Sequence, residues 1–256
     1  MYKIDVLIPA AGKGTRSGLD YPKTLFKIKG KEILLYIFEL VENINSKPTI
    51  IISPEGEKDI NKFLLSHQRK AEIIIQKKAK GMGNAVLQYE KSLNFKNKNH
   101  LLLISGDIPF IRKDTISKMI KNHFDNNNDF TLVTKIVDKA YTHIKRDLHN
   151  NISKIIETRE EGLSPLPGER DIGLFLFKKE PIFKILKEVL NYKFGKSTGE
   201  HGFLYIIEYL TKNGFKVEGL PIANNNEIRS LNKISDLEIW QYLFKKDINS
   251  IINLLN

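Results

Sequence analysis

The chain has 256 residues, of which 41% are hydrophobic and 28% are charged, and it contains no cysteine. Without thiols there is no disulfide framework, no thiolate zinc site and no cysteine nucleophile, so any metal ligand must be oxygen or imidazole. No apolar run approaches the ~20 residues of a membrane-spanning helix, and the amino terminus has no secretory signal pattern. We therefore expect one soluble domain, residues 1–256, in the cytoplasm, without membrane insertion.

The formal net charge of +11 raises the question of nucleic-acid binding. The lysines are spread along the whole chain, however, and isoleucine and asparagine are also heavily used, which indicates compositional bias rather than a designed basic patch. We predict no nucleic-acid partner. A nucleotide substrate would benefit from the same positive field.

The first half of the chain alternates short apolar strands with amphipathic helices. The predicted strands are 4–9, 49–52, 72–76 and 101–104, and the predicted helices are 33–44, a segment through Phe63 and Leu64, and 84–93. This alternation is typical of a mainly parallel sheet with helices on both faces. In such sheets, ligands bind beyond the carboxyl ends of the strands.

The second half is less regular. Its predicted strands are 131–137, 152–157, 172–177 and 217–221, and its predicted helices are 182–190, 203–210 and 237–255. The segment 162–170 is rich in proline and glycine, which predicts an exposed loop.

A glycine-rich loop follows the first predicted strand. Gly12 and Gly14 allow backbone N–H groups to approach anionic oxygens, and Arg16 and Lys23 supply positive charge. The spacing matches neither a P-loop nor a dinucleotide-binding fingerprint. The loop is therefore predicted to bind a triphosphate by a different pattern.

Two segments carry candidate ligands for Mg2+. Asp107 follows the strand 101–104 and lies next to Gly106, where a carboxylate could hold the metal between phosphate oxygens; the alternative is a helix cap. Asn232 precedes the last predicted helix and offers an amide oxygen, with capping of that helix as an equally good explanation.

A third segment is a candidate for reading a nucleobase. Gln76 ends a strand, and Gly81 and Gly83 lie in the turn before the next helix, although glycines in such turns are more often structural. Glu157 and Glu200 are carboxylates that could accept hydrogen bonds from a sugar or simply be solvated charges. The histidines have neither metal-ligand spacing nor a triad arrangement.

Together and in this order, these pieces resemble the sugar nucleotidyltransferase superfamily, most closely the pyrophosphorylase domain of bacterial N-acetylglucosamine-1-phosphate uridylyltransferases. The family's Ala-Ala-Gly-x-Gly-Thr-Arg loop is matched by residues 10–16, and its Pro-Lys pair by residues 22–23. Its base-reading, Gly-Asp-x-Pro and Val-Asn-x-x-x-Asp-Leu segments are matched by residues 76–83, 106–109 and 231–237.

The resemblance implies an α/β fold of the Rossmann-like three-layer nucleotidyltransferase type, with a mixed, mainly parallel central sheet. Residues 1–112 would form the nucleotide-binding half, and residues 113–256 the sugar-binding half with the carboxyl-terminal helix. The implied enzyme joins a nucleoside triphosphate, UTP favoured, to a sugar 1-phosphate with Mg2+, releasing pyrophosphate and giving an NDP-sugar for the cell envelope. The resemblance is compatible with assembly of the protein as a homo-oligomer.

The resemblance also assigns residues to roles. It implies that the catalytic residues are Arg16 and Lys23 and that the metal ligands are Asp107 and Asn232. The nucleotide-binding residues would be Pro9, Ala10, Ala11, Gly12, Gly14, Thr15, Gln76, Gly81 and Met82. The sugar-binding residues would be Thr142, Glu157 and Asp171.

Several positions depart from the family pattern, mostly on the sugar side. Thr142 and Asp171 replace a family glycine and asparagine, Met82 replaces a threonine, and the segment 200–205 lacks the family's aromatic and hydroxyl groups. We therefore expect a sugar phosphate other than N-acetylglucosamine 1-phosphate. Two other readings remain: a cytidylyl- or guanylyltransferase acting on a non-sugar phosphate, and a non-catalytic nucleotide-sensing regulatory domain.

Overall fold

The computed structural model describes residues 2–12 and 18–230. The strands are β1 (Ile4–Pro9), β2 (Lys27–Ile28), β3 (Lys31–Glu32), β4 (Thr49–Ile52), β5 (Glu72–Ile75), β6 (His100–Ile104), β7 (Phe130–Ala140), β8 (Thr142–Arg146), β9 (Ile152–Glu157), β10 (Leu166–Lys178) and β11 (Val217–Leu220). The helices are α1 (Ile33–Val41), α2 (Glu57–Ser66), α3 (Met82–Gln88), α4 (Lys113–Asp125), α5 (Lys179–Lys184) and α6 (Ile206–Lys212). A π-helical turn, Ile185–Val189, extends α5.

Seven strands form one sheet in the order β11-β7-β10-β6-β1-β4-β5. The pairs β1–β4, β1–β6, β4–β5 and β7–β11 are parallel, whereas β10 runs antiparallel to both β6 and β7. The sheet is therefore mixed and mainly parallel, as predicted. Because every strand but β10 runs the same way, their carboxyl ends share one edge of the sheet.

Both faces of the sheet are covered by helices. One core cluster joins buried residues of α1, α2 and α4 to Ile4, Val6 and Ile8 of β1. The other joins α3, α5 and α6 to Leu7, which points to the opposite face, as the twofold period of a strand requires. The result is the expected three-layer arrangement.

Helix α1 buries the apolar stripe that its sequence predicts. Its buried residues are Ile33, Leu34, Ile37, Phe38 and Val41. The helix ends at Val41, whose carbonyl accepts N–H bonds from Ile44 and Asn45 in the following turn.

The prediction of an exposed loop over 162–170 is wrong in its second half, because β10 already begins at Leu166. There it pairs with the long end of β7, with Leu166 opposite Ala140 and Arg170 opposite Lys135. Pro167 lies at a register shift, where its missing N–H costs no ladder bond.

Other elements also differ from the prediction. β8 was not predicted as a strand and pairs with β9 in a separate two-stranded sheet. α3 ends at Gln88 and gives way to two 3-10 turns, and α6 begins at Ile206 rather than at residue 203. The predicted helix 237–255 lies outside the described residues. No helix within the described ranges has the length and apolar character needed to cross a membrane.

A buried histidine pair lies between α4 and the sheet. His123 is fully buried; its Nδ1 lies 2.8 Å from Thr131 Oγ1, and its Nε2 lies 3.0 Å from His100 Nδ1. Burial, and then the charge of His100 and Lys178, lowers the pKa of His123 from 6.5 to about 3. Between these two pKa values, the imidazole of His123 is neutral in the folded protein and protonated in the unfolded chain.

This pair predicts a loss of stability in mild acid. Below pH 6.5 the unfolded chain binds a proton at His123 and the folded chain does not, so the free energy of unfolding falls as the pH drops towards the folded pKa. Urea unfolding should show a decrease on the order of 1 kcal/mol between about pH 7.5 and about pH 5.5. His123→Gln should flatten this dependence, while the exposed control His149→Gln should retain it; equal slopes would contradict the assignment.

Candidate active site

A cavity of about 330 Å³ lies at the shared edge where β1, β5 and β6 end. Two backbone bonds tie the end of β1 to its neighbours: Ala10 N–H donates to Ile51 O of β4 (2.7 Å), and Gly106 N–H, just after β6, donates to Pro9 O (3.1 Å). The cavity is lined by Pro9, Ala10, Ala11, Gly12, Lys23, Thr24, Gln76, Ala79, Gly81, Met82, Ala85, Ser105, Gly106, Asp107 and Glu200. Of the predicted nucleotide-side residues, Gly14, Thr15, Arg16 and Asn232 lie outside the described residues.

Lys23 and Asp107 face each other in this cavity. Lys23 begins a short 3-10 turn directly after Pro22, and its Nζ donates to Asp107 Oδ2 at 2.8 Å. The alternative that Asp107 caps the next helix is wrong, because α4 begins six residues later, at Lys113, with Arg112 at its N-cap. The pair thus brings one cation and one carboxylate together at the wall of the cavity.

Gln76 has a fixed side-chain orientation at the end of β5. It is 5% exposed, and its Nε2 donates to Asn84 Oδ1 at 2.8 Å. The bond holds the amide in place at the wall of the cavity. A fixed amide is suited to reading the edge of a base, because its donor and acceptor positions are set before binding.

The turn at Gly81 and Gly83 packs closely against the loop that precedes α6. His201 N–H donates to Lys80 O (2.7 Å), and Gly83 N–H donates to His201 O (2.9 Å). A Cβ on Gly83 would lie 2.8 Å from His201 Nδ1, and Gly81 has a φ of +93°. These glycines therefore have a structural role, and Gly81 also lines the cavity.

A second cavity, of about 200 Å³, adjoins the first and shares Met82, Ser105 and Glu200 with it. It lies between β9, β10 and the loop before α6. Its remaining lining residues are Glu157, Arg159, Glu160, Asp171, Gly173, Phe175, Thr198, Gly202, Phe203, Leu204 and Tyr205.

The three predicted sugar-side residues meet at this second cavity in different ways. Glu157 and Asp171 line it. Thr142 acts through Asp171: its Oγ1 donates to Asp171 Oδ1 at 2.5 Å, while Gly173 N–H donates to Oδ2 at 2.9 Å. Two donors thus fix the Asp171 carboxylate.

The second cavity is electrostatically negative. Burial, followed by the charges of Asp171, Glu160 and Glu200, raises the pKa of Glu157 from 4.5 to about 7, with Arg159 opposing. Burial and nearby carboxylates, Glu157 first among them, likewise raise the pKa of the Tyr205 phenol to about 12.

Sequence reasoning missed several lining residues. Ser105 and Thr24 stand next to Asp107 and Lys23, so adjacency to a predicted motif could have found them. Arg159, Glu160 and Tyr205 carry no local signal. They reach the cavity through turns whose course only the folded chain defines.

The donor set fits Mg2+ only with help from a substrate. Within the described residues, no group of three or more His, Asp or Glu side chains is placed to hold a metal ion. Asp107 nevertheless presents a hard carboxylate oxygen to the first cavity, and Mg2+ is commonly held by one or two carboxylates together with substrate phosphates and water.

Curated relatives cover nearly the whole chain. It is 28% identical over 239 residues to the bifunctional protein GlmU of Thermodesulfovibrio yellowstonii, covering 92% of this chain and 51% of the relative. It is 27% identical over 252 residues to the bifunctional protein GlmU of Caldanaerobacter subterraneus, covering 97% and 53%. The chain thus spans about half the length of the curated relatives that it matches.

Solved structures share the fold. A Bacillus anthracis chain assigned as a glucose-1-phosphate thymidylyltransferase has a TM-score of 0.72 at 17% identity, with 94% of each chain covered. The inositol-1-phosphate CTP transferase of T. maritima has a TM-score of 0.67 at 16% identity, also with 94% of each covered. At these identities the likeness concerns the fold, which is the predicted Rossmann-like nucleotidyltransferase fold.

A match to a protein-family model assigns the chain to a family. The model described as the MobA-like NTP transferase domain matches residues 6–169, from β1 into β10. That span contains Lys23, Gln76 and Asp107 of the first cavity and Glu157 of the second. The chain belongs to the family of MobA-like NTP transferase domains, and is thus a nucleotidyltransferase by family.

Proposed function

We propose that this nucleotidyltransferase joins a nucleoside triphosphate, UTP favoured, to a sugar 1-phosphate, releasing pyrophosphate and giving an NDP-sugar. The supporting observation is the pair of adjoining cavities, which share Met82, Ser105 and Glu200. A triphosphate in the first and a phosphate monoester in the second would meet at this shared wall. We also propose that UTP is the preferred nucleotide, that the enzyme is cytoplasmic and that its product serves the cell envelope. These three points are supported by the similarity to the curated relatives.

The reaction would be a direct in-line transfer. A phosphate oxygen of the sugar 1-phosphate attacks the α-phosphorus, and the new P–O bond forms as the bond to the β-phosphate oxygen breaks. Pyrophosphate leaves with the bonding electron pair. Positioning and charge neutralisation supply the catalysis, so no protein nucleophile is required.

Lys23 is the described cation best placed for this task. Its ammonium group would leave Asp107 and bind phosphate oxygens, neutralising charge that develops on the leaving pyrophosphate. Arg16 is proposed as a second such cation from the sequence motif. Residues 1–112 would thus supply most of the nucleotide side, and residues 113–256 most of the acceptor side.

Asp107 is proposed as the carboxylate ligand of Mg2+, with Asn232 as the second ligand from the sequence motif. The ion would neutralise phosphate charge and hold the triphosphate in position. Release of Lys23 from Asp107 would free the carboxylate for this role.

A substrate panel tests the function. Purified protein with Mg2+ would be given UTP, CTP, GTP, dTTP or ATP together with sugar 1-phosphates, including N-acetylglucosamine 1-phosphate, or with alcohol phosphates. We expect the fastest pyrophosphate release with UTP and a sugar 1-phosphate other than N-acetylglucosamine 1-phosphate. Faster release with CTP or GTP and an alcohol phosphate would replace this proposal with the corresponding transferase. Nucleotide binding without any turnover would indicate a sensing domain.

Removing either partner of the Lys23–Asp107 pair should abolish most turnover. Lys23→Met and Asp107→Asn should each lower kcat by at least ~100-fold, because each removes a charge that acts on the phosphates or the metal. Lys27→Met is the matched control, since Lys27 is exposed and pairs with Glu32. Circular dichroism would check that each variant folds; near-normal kcat in a folded variant would remove that residue from the mechanism.

A methyl group at Gly83 should disturb acceptor binding. The Cβ of Gly83→Ala would press on His201 and displace the adjoining loop, whose Gly202 lines the second cavity. We expect KM for the acceptor to rise severalfold, because the cavity wall moves before the acceptor binds. Gln88→Ala, at the far end of α3, is the control. An unchanged acceptor KM in steady-state kinetics would show that the loop contact does not shape the site.

A further inference from the structure

The second cavity is acidic although the protein as a whole is basic. The chain has a formal net charge of +11. The cavity is nevertheless lined by four carboxylates, Glu157, Glu160, Asp171 and Glu200, and by one cation, Arg159. The compositional bias of the chain does not account for this local reversal of charge. We therefore look for a ligand whose charge would explain this cluster of carboxylates.

The protein itself holds two of these carboxylates in position. Glu160 Oε2 accepts backbone N–H bonds from Ser197 (2.9 Å) and Thr198 (3.2 Å). Asp171 is held by two donors, as described above. Both carboxylates are therefore fixed in the cavity wall.

Glu157 is the carboxylate that the protein leaves uncompensated. It ends β9 and faces the charges of Asp171 on β10, Glu160 in the following turn and Glu200 in the loop before α6. Among the described residues, only the charge of Arg159 opposes them. Burial and these neighbours raise the pKa of Glu157 to about 7, and no hydrogen bond from the described residues offsets the shift.

A ligand that carries positive charge would remove this electrostatic cost. The rings of Phe175, Phe203 and Tyr205 line the same cavity, and aromatic rings attract ammonium groups. A neutral polyol could accept or donate hydrogen bonds here, but it would leave the mutual repulsion of the carboxylates in place. The carboxylates of this cavity are not placed as a metal cluster, since no group of three or more His, Asp or Glu side chains in the described part of the chain could hold a metal ion.

We propose that the acceptor is a phosphate monoester that carries an ammonium group, an amino sugar 1-phosphate or an amino alcohol phosphate, and that Glu157 selects it. This inference rests on one part of the proposed function, that the second cavity is the acceptor site; an amino alcohol phosphate would keep the inference and replace the sugar 1-phosphate of the proposed function. The phosphate would lie towards Lys23 at the shared wall, and the ammonium group would lie among Glu157, Asp171 and Glu200.

Two matched ligand pairs test the charge requirement. Glucosamine 1-phosphate differs from glucose 1-phosphate in one amino group, and choline phosphate differs from 3,3-dimethylbutyl phosphate in charge but hardly in shape. Calorimetry would use the full chain with Mg2+ and a UTP analogue carrying an α,β-methylene bridge. We expect the ammonium member of one pair to bind at least about tenfold tighter than its neutral partner, a difference of about 1.4 kcal/mol. The pair that shows the preference identifies the sugar or the alcohol class.

A variant locates the selection at one residue. Glu157→Gln should reduce the preference by about tenfold while leaving binding of the UTP analogue unchanged, since Glu157 lines only the second cavity. Glu161→Gln is the matched control, because Glu161 is exposed and pairs with Lys196 outside the cavity. If Glu157→Gln keeps the full preference, Glu157 is not the selecting residue.

The pH dependence gives a second readout. Ionisation of Glu157 should strengthen the preference for choline phosphate over its neutral partner between about pH 6 and about pH 8, whereas the phosphate titration is common to both ligands. Glu157→Gln should show no such rise. Equal or tighter binding of both neutral partners in a protein that binds the UTP analogue and releases pyrophosphate would overturn this inference alone. Absence of analogue binding and of turnover would overturn the proposed function as well.

Discussion

The site depends on the antiparallel insertion of β10 between β6 and β7. Because β10 alone runs against the other strands of the sheet, its amino-terminal part lies at the edge where they end. Asp171 therefore reaches the same edge as Asp107, which follows β6. A fully parallel sheet would present only strand ends there. The antiparallel strand β10 instead forms one wall of the second cavity. β8 packs against β10 and pairs with β9, which brings Glu157 to the same cavity.

The two cavities share structure as well as position. The turn before α3 and the loop before α6 exchange two backbone hydrogen bonds, through Lys80, Gly83 and His201. Met82 and Glu200, which flank these bonds, line both cavities. A displacement of either loop would therefore alter both binding sites together. In-line transfer requires the reacting atoms to be aligned within narrow limits, and a shared wall is a direct way to maintain that alignment.

Local sequence predicted the surroundings of the first cavity far better than those of the second. β1, β4 and β6 are short buried strands whose apolar runs mark their bounds, and Lys23 and Asp107 meet although they are 84 residues apart because each follows a predicted element at the same edge. Around the second cavity, β8 and the start of β10 are polar or contain Pro and Gly, so their pairing depends on partners distant in sequence. Arg159 and Tyr205 reach the cavity by turns, which no periodic pattern encodes.

The negative charge of the second cavity has a consequence for how the proposed acceptor would be oriented. A phosphate monoester entering with its phosphate towards Glu157 and Asp171 would meet like charge in a partly desolvated cavity, where repulsion is poorly screened. Entering the other way, it would place the phosphate near Lys23 and its remaining groups against the carboxylates. The second orientation is the one that presents a phosphate oxygen to the first cavity. With the second cavity as the proposed acceptor site, its negative charge would serve orientation as well as recognition, even before a nucleotide is in place.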